Sequence, residues 1–304
     1  MTGTSGSGAP AGGARSPGRQ QNIELLRILA AFGIVLFHAG GPYMQFGYAG
    51  LVIFTLLAPF FEAAAWQRRR DPRVLARRLL LPWAAFTLLY GLANLATKGW
   101  FIDPQLPPIA AILYGTSPHL WFLPYIFVVM LVTSLSKAYL RHVLVVVGLA
   151  LALVIMLWLA PAWQPVGEAA GPPVGQWLHA LPAVLAGLVL GAATASGRRW
   201  IAYLALVLGA VAAFQSQQLG VEIPYAIALP AVLVALRLPQ FGKSVEGISQ
   251  CMMGVYLVHS LALAVVGRIT DKTTFMAALL AFALSLAAVW LARRYVPASR
   301  YLLG

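Results

Sequence analysis

Arg27 and His38 stand eleven residues apart in an apolar run that begins at Asn22. Eleven residues are close to three helical turns, so both side chains fall on one face, roughly 16 Å apart along the axis. Glu24 lies one turn before Arg27, in pairing position. Ionisable groups inside an apolar span are costly and usually face a bundle interior. One reading is a polar cavity crossing much of a membrane. The other is that Arg27 snorkels to the interface and His38 is an ordinary interfacial residue. Two further histidines sit in comparable settings: His119 opens the run His119-Leu-Trp121-Phe-Leu, and His259 follows Tyr256 by one turn in the run from Ser249. If successive helices alternate in direction, His38, His119 and His259 share one level near the outer side. An imidazole works as a general base or acid near neutral pH. Three histidines can also bind zinc. These come from three separate segments without local ligand spacing, so no metal is expected. His142 and His179 fall at helix ends and read as interface residues.

The second concentration of chemistry is basic. Arg68, Arg69, Arg70, Arg73, Arg77 and Arg78 precede Leu-Leu-Leu-Pro82-Trp83. Such a cluster fits a topological anchor that touches lipid phosphates. It fits equally a site for the phosphates of an anionic cofactor. Arg77 and Arg78 lie nearest the following apolar run.

These residues must be positioned by membrane helices. The chain has 304 residues, of which 61% are hydrophobic and only 10% charged, with a mean hydropathy of +0.81. Soluble domains carry about 25% charged residues. The apolar runs are rich in Leu and Ala and lack the alternation of an outer-membrane barrel. Ten spans are expected, at 22–40, 48–66, 79–97, 120–136, 142–160, 178–195, 201–215, 222–237, 248–267 and 274–292. The break at Gln215–Gln218 reads as a tight outer turn. Placing the N-terminus in the cytoplasm leaves only Lys98, Arg268 and Lys272 on the outer side, as the positive-inside rule requires. The net charge of +13 is therefore topological, and nucleic acid is not expected as a partner. The fold class is an all-α integral membrane protein of about ten transmembrane helices, both termini cytoplasmic. Residues 1–21, rich in Gly, Ser, Ala and Pro, are expected as a disordered cytoplasmic tail. The first helix is expected to be retained rather than cleaved. Cys251 is the one cysteine, which excludes an internal disulfide, and reads as a packing residue.

In this order and topology the segments resemble the membrane acyltransferase-3 family. Asn22–His38 is similar to its opening helix, with Arg and His at their separation. Arg77-Arg78-Leu-Leu-Leu-Pro82-Trp83 resembles the start of its third helix. His119-Leu-Trp-Phe-Leu123 resembles its His-Leu-Trp-Phe-Leu segment, and Ser249 to His259 its late Ser, Gly, Tyr and His helix. The resemblance spans 22–295, which makes that region the transmembrane acyltransferase-like domain and 296–304 a short cytoplasmic tail. One departure is Leu75, which stands where an Arg-x-x-Arg pair before the proline would need arginine.

The resemblance implies transfer of an acyl group, typically acetyl, from acyl-CoA to a hydroxyl of an envelope or exported carbohydrate, in the bacterial inner membrane. It implies Arg27 and His38 as catalytic residues and arginines at the start of the third helix as donor-binding, here drawn from Arg73, Arg77 and Arg78. His38 takes the hydroxyl proton or carries the acyl group briefly; Arg27 helps hold the donor's arm or lines its passage. Glu24, His119, Trp121, Tyr256 and His259 are expected around the cavity. A transporter of an acylated glycan or a lipid-linked intermediate is the rival reading, and a structural subunit the third.

Overall fold

The computed structural model describes residues 20–68, 70–240 and 242–303. Residues 1–19 of the expected tail, with Arg15 and Arg19, lie outside the described residues, as does Arg69. The described chain is helical throughout and, among the described residues, contains no strand. In order the helices are α1 Gln21–Ala39, α2 Met44–Ala64, α3 Pro72–Lys98, α4 Pro108–Tyr114, α5 Phe122–Leu140, α6 Val143–Trp158, α7 Ala160–Ala170, α8 Val174–Ala195, α9 Arg199–Ser216, α10 Glu222–Arg237, α11 Glu246–Ser249, α12 Met252–Val266, α13 Phe275–Tyr295 and α14 Arg300–Leu303.

Each of the ten expected spans has its helix. Seven of them (α1, α2, α3, α5, α8, α9 and α13) are long and apolar enough to cross a membrane unaided. The other three are short: α6 and α10 have 16 residues each and α12 has 15. A straight crossing needs about 20 residues. α6 is continued by α7 after a 79° bend, which breaks the span. α12 is preceded by the single turn of α11. The polar break after α9 is a tight turn, with Gln217 and Gly220 in the left-handed region.

Local chemistry sets the helix ends that matter most. Asp71 caps α3, its carboxylate accepting from the Arg73 amide at 2.8 Å, with Pro72 pre-set as the first helical residue. α3 therefore begins within the arginine cluster and carries it on its first turns.

α2 forms the centre of the bundle and packs against α1, α5, α8 and α10. Two glycines let it come close. A Cβ on Gly50 would stand 2.1 Å from the Ala30 carbonyl oxygen of α1, and one on Gly187 of α8 would stand 2.2 Å from the Leu56 carbonyl oxygen. Small residues at such crossings let helix backbones touch where no hydrophobic force drives association. One apolar cluster joins α2 with α6, α8, α9 and α10; another joins the second half of α1 with α3, α12 and α13. α1 belongs to both, its first half packing in one and its second half in the other.

The helices alternate in direction. At one end Asn22 donates to the carbonyls of Leu238 and Pro239 at 3.0 Å, Arg293 to Gln250, and Lys137 to Ala65 and Arg68. Glu62 is buried there between Lys137 and Arg70, each at 2.5 Å. At the other end Gln45 accepts from Gly220, and Gly41 lies against Thr273. Lys98, Arg268 and Lys272 stand at this second end, and the remaining described lysines and arginines at the first. The segment 296–303 folds back onto the first end, with Leu303 buried beside Gly254 and Val289.

Candidate active site

His38 lies on the last turn of α1, His119 on the segment that leads into α5, and His259 in the middle of α12. Their rings meet at one level. The centroid separations are 4.9 Å for His38–His259, 4.8 Å for His119–His259 and 6.1 Å for His38–His119. The shared level expected from alternating helices is thus what the fold produces.

The ring nitrogens are ordered by their partners. His259 Nδ1 lies 2.6 Å from the Tyr256 carbonyl, which can only accept, so Nδ1 carries the proton. Nε2 of the neutral ring is then an acceptor, and Ser260 Oγ faces it at 3.4 Å. The same hydroxyl lies 3.1 Å from His119 Nδ1, which also meets Ser117 Oγ at 3.1 Å. If the Ser260 proton goes to His259, His119 donates from Nδ1 and its Nε2 keeps a lone pair. That Nε2 is buried and has no hydrogen-bond partner among the described residues. The Tyr256 hydroxyl donates to the His119 carbonyl and ties α12 to this segment.

A cavity of about 590 Å³ opens from the histidine end of the bundle. It is lined by His38, His119, Trp121 and Tyr256, and by Gln164 and Glu168 of α7 and Gln176 and His179 of α8. His259 is fully buried behind the lining. A second cavity, of about 340 Å³, is lined by Phe86 and Leu89 of α3, Val258 of α12, Val289 of α13 and Leu302 and Leu303 of α14. Its walls are almost wholly apolar, and it shares no lining residue with the first.

Arg27 and Glu24 are placed elsewhere. Arg27 pairs with Glu24 at 3.1 Å at the basic end, and the Ser249 hydroxyl donates to the same carboxylate. This network joins α1 to α11. Arg27 is not among the residues that line the histidine cavity. Arg73, Arg77 and Arg78 are exposed on the first turns of α3, and Arg77 stacks over the ring of Tyr301 at 4.9 Å. Arg70 is committed to Glu62. The departure at Leu75 has a packing reason: the side chain is buried against Ile126 and Met130 of α5, where an arginine would lose its water.

Several site residues escape a reading of the sequence. His179, expected as an interface residue, lines the cavity instead. Gln164 and Gln176 carry no motif, and their one signal is amide polarity in apolar surroundings. Ser117 and Ser260 each sit within two residues of a singled-out histidine.

A family model described as an acyltransferase domain matches residues 20–294. The chain belongs to the acyltransferase-3 family. No curated protein and no solved structure matches it. The molecule is accordingly a multi-pass membrane O-acyltransferase. Among the described residues, the acyltransferase has no group of three or more His, Cys, Asp or Glu arranged to hold a metal ion.

Proposed function

We propose that this acyltransferase moves an acyl group, acetyl in the simplest case, from acyl-CoA to a hydroxyl of an envelope or exported carbohydrate. We place it in the bacterial inner membrane with its basic end and both termini in the cytoplasm, because the basic residues concentrate at that end. The observation that carries the reading is the position of the histidines. His38 and His119 line the polar cavity from one end, while Val258, the neighbour of His259, lines the apolar cavity nearer the other.

α3 provides a ruler for the donor side. Arg77 and Arg78 stand at its start, Phe86 lines the apolar cavity, and the Tyr90 ring lies 5.2 Å from that of His119. Twelve residues separate Arg78 from Tyr90, about 18 Å at 1.5 Å per residue. Arg73, Arg77 and Arg78 hold the donor's phosphates, and its extended arm runs along the apolar cavity toward the histidine layer. Arg27 orients the donor from the first turns of α1. The acceptor sugar enters from the polar cavity. His38, which lines that cavity, removes the proton from the attacking hydroxyl. The oxygen adds to the thioester carbonyl. As the tetrahedral intermediate collapses, the carbon–sulfur bond breaks, and the thiolate takes the proton back from the His38 imidazolium. The products are an O-acyl ester and free coenzyme A.

The test is label transfer from radiolabelled acetyl-CoA to glycan acceptors by purified protein in lipid. His38→Ala is expected to lower the rate by about 10²–10⁴-fold with the helical content unchanged. Undiminished transfer in that variant removes His38 from the chemistry. Flux of an intact glycan into liposomes without acyl transfer sinks the enzymatic reading.

A further inference from the structure

The bend between α6 and α7 builds the mouth of the polar cavity. α7 turns 79° away from α6, and α8 returns beside it. The two are pressed together at Gly167 and Gly175, where a Cβ on Gly175 would meet the Gly167 carbonyl oxygen at 2.7 Å. This pair of elements sends Gln164, Glu168, Gln176 and His179 to the cavity wall.

Their hydrogen bonding is one-sided. Gln164 Nε2 donates to the Leu219 carbonyl at 2.8 Å, which fixes the amide and turns Oε1 the other way. That oxygen is buried without a partner among the described residues, in a residue only 7% exposed. Gln176 Oε1, His179 Nδ1 and His119 Nε2 are also buried and unpartnered. An unpaired buried polar atom costs about 1–3 kcal/mol. The two amide oxygens can only accept, and each imidazole nitrogen accepts or donates by its tautomer, so four such atoms around one cavity call for a ligand with several hydroxyl groups. The electrostatics restrict it further. Among the described residues no Lys or Arg lines the cavity, and the one charged side chain on its wall is Glu168, at the exposed rim. An anionic group would lose water there, find no cation and face a carboxylate. The aromatic walls of Tyr114 and Trp121 offer flat apolar surface against the ligand's C–H faces.

We propose that Gln164 and Gln176 form a specificity-determining acceptor subsite. It takes an uncharged polyhydroxylated unit and rejects the same unit when it bears a carboxylate or phosphate. The proposal rests on the acyl-transfer reading only in treating this ligand as the acceptor.

Two probes that differ at C6 alone test it: methyl β-D-glucopyranoside and methyl β-D-glucuronopyranoside. Saturation-transfer NMR on the full chain in lipid nanodiscs reads their binding without any donor. The glucoside is expected to bind roughly ten-fold more tightly than the glucuronoside, the equivalent of about 1.4 kcal/mol. Gln164→Leu is expected to weaken the glucoside signal several-fold in a protein that still elutes as a monodisperse species. Gln176→Arg is expected to bring the glucuronoside in, a gain that misfolding cannot mimic. Equal binding of the two probes, preference for the glucuronoside, binding of neither, or variants that behave as the wild type overturn the subsite. Selective glucoside binding by a protein that never consumes acetyl-CoA leaves the subsite standing and removes the acyl-transfer reading instead.

Discussion

Ser260 holds the histidine layer from behind. Its hydroxyl is shared between His119 and His259, and His259 is oriented in turn by the Tyr256 carbonyl. A side chain that fixes the two imidazoles packed against His38, the base of the proposed reaction, without touching substrate acts on the chemical step more than on binding. Ser260→Ala is expected to lower kcat by about ten-fold, the equivalent of one hydrogen bond of roughly 1.4 kcal/mol, with KM for acetyl-CoA little changed. Ser260→Thr, which keeps the hydroxyl, is expected to restore most of the rate. A KM that rises while kcat holds, or a threonine variant no better than alanine, removes Ser260 from this role. At this scale much of the site was legible. Histidines in apolar runs are rare enough to be noticed, and counting helices places them at one depth. Gln164 and Gln176 were not legible, because an amide near a helix end looks the same whether it faces water, lipid headgroups or a cavity.

At the scale of elements, the apolar runs marked ten helices where they occur, because lipid leaves the backbone little alternative. Three features were hidden. The expected span 142–160 gives no sign that the chain turns by 79° at its end and continues as α7. The short helix α4 lies between the expected spans 79–97 and 120–136, where no helix is expected. The segment 296–303, expected as a tail, packs Leu303 into the core. Each depends on contacts with distant residues, which local hydropathy does not encode. The α1–α2 crossing is the contact on which His38 most directly depends. Gly50→Val places a branched side chain where even a Cβ would meet the Ala30 carbonyl oxygen at 2.1 Å. It is expected to cost about 1–3 kcal/mol or more, by overpacking and backbone shift, and to lower the thermal midpoint and activity together. A variant with wild-type melting would show that α1 and α2 do not cross at Gly50.

For the whole molecule, the charge asymmetry gives a direct check on orientation. Cys251 is buried, at 2% exposure, so the background toward thiol reagents is low. Lys272→Cys and Arg294→Cys place new thiols at opposite ends of the bundle. In intact cells a membrane-impermeant maleimide is expected to label the first and to reach the second only after permeabilisation. The reverse pattern inverts the proposed topology. This asymmetry was fully legible, since Lys98, Arg268 and Lys272 are separated from the other basic residues by whole apolar runs. The division of the interior into two cavities was not, because it arises from side-chain packing around α3, α12 and α14 on one side and α7 and α8 on the other.

That division also bears on how the bilayer stays sealed. The two cavities share no lining residue, and the histidine layer with fully buried His259 lies between them. In the proposed reaction neither coenzyme nor sugar crosses this partition, and only the acyl fragment changes sides. On that reading the protein is an insulator with one chemical contact through it, and its turnover should leave the ion gradient of a liposome intact. A proton leak that scales with acyl transfer would mean that the partition opens during each cycle.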